Sequence, residues 1–136
     1  MDAINFLRQY EDAEKRIARC ERELEEESIM IDAIKSLSDR DGMPHGNGIS
    51  KPTEDKAIRL ADKMQRVANA RIEAVHIRQD VFDVINKVGG DEADVLYQRY
   101  ILLKKWADVC SAVHWSWFKV NGLHQAGLEK VDAIIK

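Results

Sequence analysis

Residues 91–136 read DEADVLYQRYILLKKWADVCSAVHWSWFKVNGLHQAGLEKVDAIIK, and the spacing of apolar residues within them decides the fold. Three short amphipathic helices follow from that spacing. The first opens at Asp91, where Asp94 three residues on makes a capping-box-like pair. It turns Val95, Leu96, Tyr100 and Leu103 inward and ends at Lys104 and Lys105. The second runs from about Trp106 to Val113 and supplies Trp106, Val109, Cys110 and Val113 to a small core. A short turn at His114-Trp115 leads to Ser116, whose hydroxyl suits the free amides of a first helical turn. The third helix then directs Val120, Leu123, Gly127, Leu128 and Val131 inward, with Trp117, Phe118, Asn121, Gly122 and Gln125 on the opposite face. Trp106 and Trp115 stand at joins where a large ring fills the gap between short helices, so both are expected in the core.

The residues before this segment follow another period. From Asp2 to about Asp39 there is no Gly or Pro, and Ala3, Phe6, Tyr10, Ala13, Ile17, Cys20, Leu24, Ile31 and Ile34 recur at heptad spacing, interrupted by Glu27. The Glu23, Glu25, Glu26, Glu27 cluster reads as a solvated face. Residues 41–52, DGMPHGNGISKP, hold three glycines and two prolines, a composition that continues neither helix nor central strand, and form a loop. Helix resumes after Thr53 as N-cap, with Glu54 and Asp55 at the positive end of the dipole. It carries Ala61, Met64, Ala68, Ile72, Val75, Phe82 and Ile85 as its stripe and stops at Gly89-Gly90. The expected fold is all-α: a long, coiled-coil-like antiparallel helical hairpin over 1–89, then a three-helix module over 90–136. Two helices alone bury little apolar surface for the entropy they lose, so a second copy is expected to complete a bundle as a homodimer or higher homo-oligomer.

Composition narrows the classes of function. The 136 residues are 45% hydrophobic and 33% charged, as in a helical domain, and the net charge is −3. Between 91 and 136 the basic Arg99, Lys104, Lys105, Lys119, Lys130 and Lys136 balance the acidic Asp91, Glu92, Asp94, Asp108, Glu129 and Asp132, so the acidic excess lies before residue 91. Cys20 and Cys110 have no metal-ligand or disulfide-framework spacing. No signal peptide or membrane-length apolar run is present, which leads us to expect a reduced, cytoplasmic protein. His45, His76, His114 and His124 show no ligand pairing, so neither a metal nor another cofactor is expected. Ser116 and Lys119 form a Ser-x-x-Lys string without the companion motifs of an enzyme, and Gly46-Asn47-Gly48 lacks the flanks of a phosphate loop. The chain is read as non-enzymatic.

The strings Leu96-Tyr97-Gln98-Arg99-Tyr100, Lys105-Trp106-Ala107-Asp108-Val109, Trp115-Ser116 and Leu123-His124-Gln125-Ala126-Gly127-Leu128 resemble region 4 of bacterial sigma factors. They resemble more closely a family of small phage and prophage proteins related to the ArpU and RinA regulators of phage transcription. In that family a long helical part precedes a sigma-like helix-turn-helix, with a loop similar to Met43-Pro44-His45-Gly46 between its helices. The resemblance implies a transcription regulator in a bacterial host cell that places the helix after Ser116 in the major groove of double-stranded DNA. It also implies base contacts from positions matching Trp117, Phe118, Asn121 and Gly122. Sigma modules generally carry arginine, glutamate or glutamine there, whereas two aromatics and a glycine touch thymine methyls and form few hydrogen bonds. Asn121, His124 and Gln125 remain as polar readers, and Lys104, Lys105 and Lys119 as phosphate contacts. Trp117 and Phe118 equally suit a protein interface, and the alternative reading is a helical adaptor that binds RNA polymerase or a phage packaging subunit without touching DNA.

Overall fold

The computed structural model describes residues 1–40 and 51–136. It is all-helical, with no strand among the described residues: α1 (Ala3–Arg40), α2 (Lys51–Val88), α3 (Gly90–Leu96), a π-helical turn (Tyr97–Ile101), α4 (Trp106–Val113) and α5 (Trp117–Ile135). Of the expected loop, residues 41–50 lie outside the described residues. Helical backbone is already present at Lys51, so α2 starts two residues ahead of the expected Thr53 cap. Pro52 falls in the first turn, where its missing amide costs no hydrogen bond. The chain divides into two compact units, one of residues 1–14 with 73–136 and the other of residues 15–72. The expected division at 89/90 falls inside the first of these.

In the unit of residues 15–72, α1 and α2 pair antiparallel. On α1 the half-buried line is Ile17, Cys20, Leu24, Glu27, Ile31 and Ile34, the expected heptad seam. Glu27 does not break it: the carboxylate accepts a 3.2 Å bond from Lys63 Nζ, with both side chains largely shielded. Arg71 donates to Glu21 in the same antiparallel sense. The α2 seam corrects the expectation. Leu60, Lys63, Val67 and Ala70 face α1, whereas Ala61, Met64, Ala68 and Ile72 are exposed. α2 carries apolar residues on two opposite faces, and α1 covers the one that holds Leu60, Val67 and Ala70.

The unit of residues 1–14 and 73–136 holds the larger core. There Ala3 and Leu7 of α1, Val81 and Ile85 of α2, Leu96, Tyr100 and Ile101, and Leu128 and Val131 of α5 form one buried cluster. Val75, expected on the seam, is exposed, and Ala74 is buried in its place. The first turn of α1 is tied down twice: Asp2 accepts from the Asn5 amide at 2.9 Å, and the Ala3 amide donates to Asp132 of α5 at 2.8 Å. These bonds satisfy two of the four amides that a helix start leaves without partners.

α3 begins at Gly90 with Gly89 as its N-cap, both at positive φ, and has no side-chain cap, so the expected pairing of Asp91 with Asp94 does not form. Helix ends at Ile101 and not at Lys104-Lys105, because the π turn changes the register of the last turn. Tyr100 and Ile101 both face the core as a result, and Leu103, expected inward, sits at the surface with φ 56°. A second small core joins Val95, Val109 and Val120, flanked by Trp106, Cys110, Val113, Trp115 and Leu123.

Two glycines of α5 meet opposite surroundings. A Cβ on Gly127 would lie 3.1 Å from Leu96 Cδ1, and Leu96 is fully buried with little room to yield. Gly122 has open space. Gly127→Val is therefore expected to destabilise by about 1–3 kcal/mol through overpacking. Gly122→Ala should stabilise by about 0.5–1 kcal/mol as a helix-interior glycine is replaced. Denaturant midpoints moving in opposite directions would bear this out, and two shifts of the same sign would contradict it.

Candidate nucleic-acid interface

α4 and α5 are joined by three residues. His114 closes α4 in the left-handed conformation at φ 60°, the Trp115 amide donates to the Cys110 carbonyl at 3.3 Å, and Ser116 is extended. Ser116 Oγ accepts from the Lys119 amide at 3.4 Å, the N-cap anticipated from the sequence. The Lys119 ammonium lies elsewhere, 4.1 Å from the centre of the Trp115 ring, a cation–π contact that holds it beside the turn. The Ser-x-x-Lys string thus caps a helix, with its amine turned to an indole and not to the hydroxyl.

Behind α5, Val120, Gly127, Leu128 and Val131 are buried and Leu123 is half-buried, as the periodicity anticipated. In front, Phe118, Asn121, Gly122 and Gln125 are exposed at steps of three and four, with Phe118 90% open. Trp117 is 50% exposed, and its ring meets Trp106 edge-on with centroids 5.3 Å apart. One surface therefore carries a freely projecting aromatic, a braced aromatic and two amide side chains.

His124 is not on that surface. It is only 8% exposed, bonded to Tyr100 Oη at 2.7 Å, with its ring stacked on Tyr100 and set edge-on to Trp106. The correction has a simple cause: residue 124 follows Val120 by one turn and precedes Leu128 by one, so helical geometry puts it inward. Burial holds the imidazole below its ordinary pKa, and the positive Arg99 and Arg8 push it the same way. Burial also raises the Tyr100 phenol. The pair forms a neutral hydrogen bond inside the aromatic cluster.

Lys105 is exposed at the N-cap of α4, and Lys104 before it is half-buried. Arg99, absent from the expected site, organises this stretch. Its guanidinium sits 4.8 Å from the centre of the Trp106 ring and donates to the Lys104 carbonyl at 2.8 Å, fixing the non-helical backbone that carries both lysines. The signal in the sequence was an arginine within an apolar run, between Leu96 and Tyr100-Ile101. Among the described residues no three His, Cys, Asp or Glu side chains gather as metal ligands, and no helix is long and apolar enough to cross a membrane. Comparison with protein-family models, curated proteins and solved structures found no match for the chain.

Proposed function

We propose that the chain is a non-enzymatic, phage-type DNA-binding regulator that docks α5, as the recognition helix of a sigma-like helix-turn-helix, in the major groove of duplex DNA. The observation that carries this reading is the two-sided character of α5: a capped start, a buried rear, and a front open from Phe118 to Gln125. A helix about 10–12 Å across matches a groove about 12 Å wide. Asn121 and Gln125 supply paired donors and acceptors suited to adenine, and Trp117 and Phe118 supply apolar contact for thymine methyls. Lys104, Lys105 and Lys119 supply phosphate contacts that set the register. The sequence resemblance to sigma region 4 supports the same docking.

Anisotropy titration of the whole protein with random duplex DNA tests this. Three phosphate contacts per copy predict a fall in affinity on the order of 40-fold when salt rises four-fold. Lys119→Ala should weaken binding to all sequences alike and reduce the salt slope by about 0.9, while Asn121→Ala should change preference among sequences. Absence of DNA binding, or binding indifferent to salt, would refute the reading. The exposure of Phe118 beside Trp117 favours the second reading in that event, an adaptor for RNA polymerase or a packaging subunit anchored by those two rings.

A further inference from the structure

The backbone between the π turn and α4 is irregular, and it is gripped at one residue. Leu103 stands at φ 56°, a left-handed conformation in which a Cβ crowds the following carbonyl. Its side chain is exposed and adds little packing to hold it there. Such conformations persist only where the surroundings over-determine them. Here the determining contacts fall on Lys104, whose amide donates to the Gln98 carbonyl at 3.2 Å and whose carbonyl accepts from Arg99 Nη1 at 2.8 Å. The second bond is the stronger of the two because its donor is charged. The Lys104 carbonyl belongs to the peptide that leads into Lys105, so the bond from Arg99 sets the direction of both lysines. Among the described residues neither lysine is in an ion pair, which leaves both ammoniums available.

An arginine close to two lysines would ordinarily count as a third phosphate contact. Arg99 is half-buried, and its guanidinium is engaged by the Trp106 ring on its face and by a carbonyl at its edge. We propose that Arg99 is a positioning residue of the docking surface: without touching DNA, it holds the strained turn at Leu103 so that Lys104 and Lys105 meet the phosphates of the duplex. This role rests on the docking of the module on DNA and adds to it the residue that sets two of its three phosphate contacts.

Anisotropy titrations with random duplex DNA at two salt concentrations separate positioning from contact. A direct phosphate contact would survive Arg99→Lys, which keeps the charge. A positioning role would not, because an ammonium lacks the planar fork that stacks on an indole while donating from its edge. Arg99→Lys and Arg99→Gln should therefore act alike. With Lys119 alone still in place, the fall in affinity over a four-fold rise in salt should shrink from about 40-fold toward about 3- to 4-fold. Adding Leu103→Gly, which takes positive φ without strain, should restore most of the salt dependence to either variant. Hydrogen exchange reads the same turn without DNA. The Lys104 amide should exchange about ten-fold faster in Arg99→Lys, the effect of losing one charge-assisted bond, while amides of α5 keep their rates. Parent-like salt dependence in Arg99→Lys, exchange that is unchanged at Lys104 or faster throughout α5, or failure of Leu103→Gly to rescue would overturn the proposal. A parent that binds no duplex refutes the docking itself, and the exchange rates then decide alone whether Arg99 holds the turn.

Discussion

Leu7→Ala is expected to lower the unfolding free energy by about 2–5 kcal/mol, the range for a fully buried leucine truncated in a packed core. The loss should be read at tryptophans far along the chain. All three, Trp106, Trp115 and Trp117, lie in or beside α4 and α5, within the unit that also contains residues 1–14. Leu7 shares its buried cluster with Leu128 and Val131 of α5, so truncating it weakens the core to which α5 belongs. Tryptophan fluorescence followed through a urea titration should show an earlier midpoint than the parent. If residues 90–136 folded alone, the tryptophan transition would stay where it was, and that result would sink the assignment of α1's first turns to this core.

Acidification is expected to loosen the same unit, with His124 as the responsive group. Its folded-state pKa lies below the unfolded value, so at mildly acidic pH the unfolded chain binds a proton that the native chain refuses. Stability is therefore undiminished above the ordinary histidine range and falls as pH drops through about 6.5, by about 1.4 kcal/mol for each unit of pH until the folded pKa is reached. The groups around the ring reinforce this sign. Arg99 and Arg8 repel an imidazolium, and Tyr100 raises no countercharge because burial keeps its phenol protonated. Thermal midpoints measured from pH 7.5 to 5 should decline in the parent and stay flatter in His124→Phe. Tyr100→Phe should cost about 1–3 kcal/mol at neutral pH by leaving the imidazole nitrogen without a partner. Parallel curves for the parent and His124→Phe would remove His124 from the acid response.

What could be read in the residues, and what could not, divides along physical lines. The α1 seam was legible because one face alone is apolar and no glycine or proline interrupts it. α2 was misphased because it carries two stripes. Periodicity reports that a face is apolar but not which neighbour covers it, and Lys63 in the true seam disguised that face as solvent-exposed. The front of α5 was legible from Phe118, Asn121 and Gln125 set against Val120 and Leu128. His124 was misassigned through its polarity, although its phase matched the inward residues. The end of the helix at Ile101 had no local marker: neither the π turn nor the left-handed Leu103 falls at a glycine or follows from a proline. Arg99 was missed for a related reason, since its role depends on a carbonyl five residues on and a ring seven residues on, which come together only once that turn is formed.

The bond from the Ala3 amide to Asp132 joins residues 129 positions apart. During synthesis at about 5–20 residues per second, the opening turn of α1 must wait roughly ten seconds for α5 to leave the ribosome. Leu7, Val81 and Ile85 are without their α5 partners for that interval, so this core closes only after α5 has emerged, and its apolar surface stays open to solvent until then.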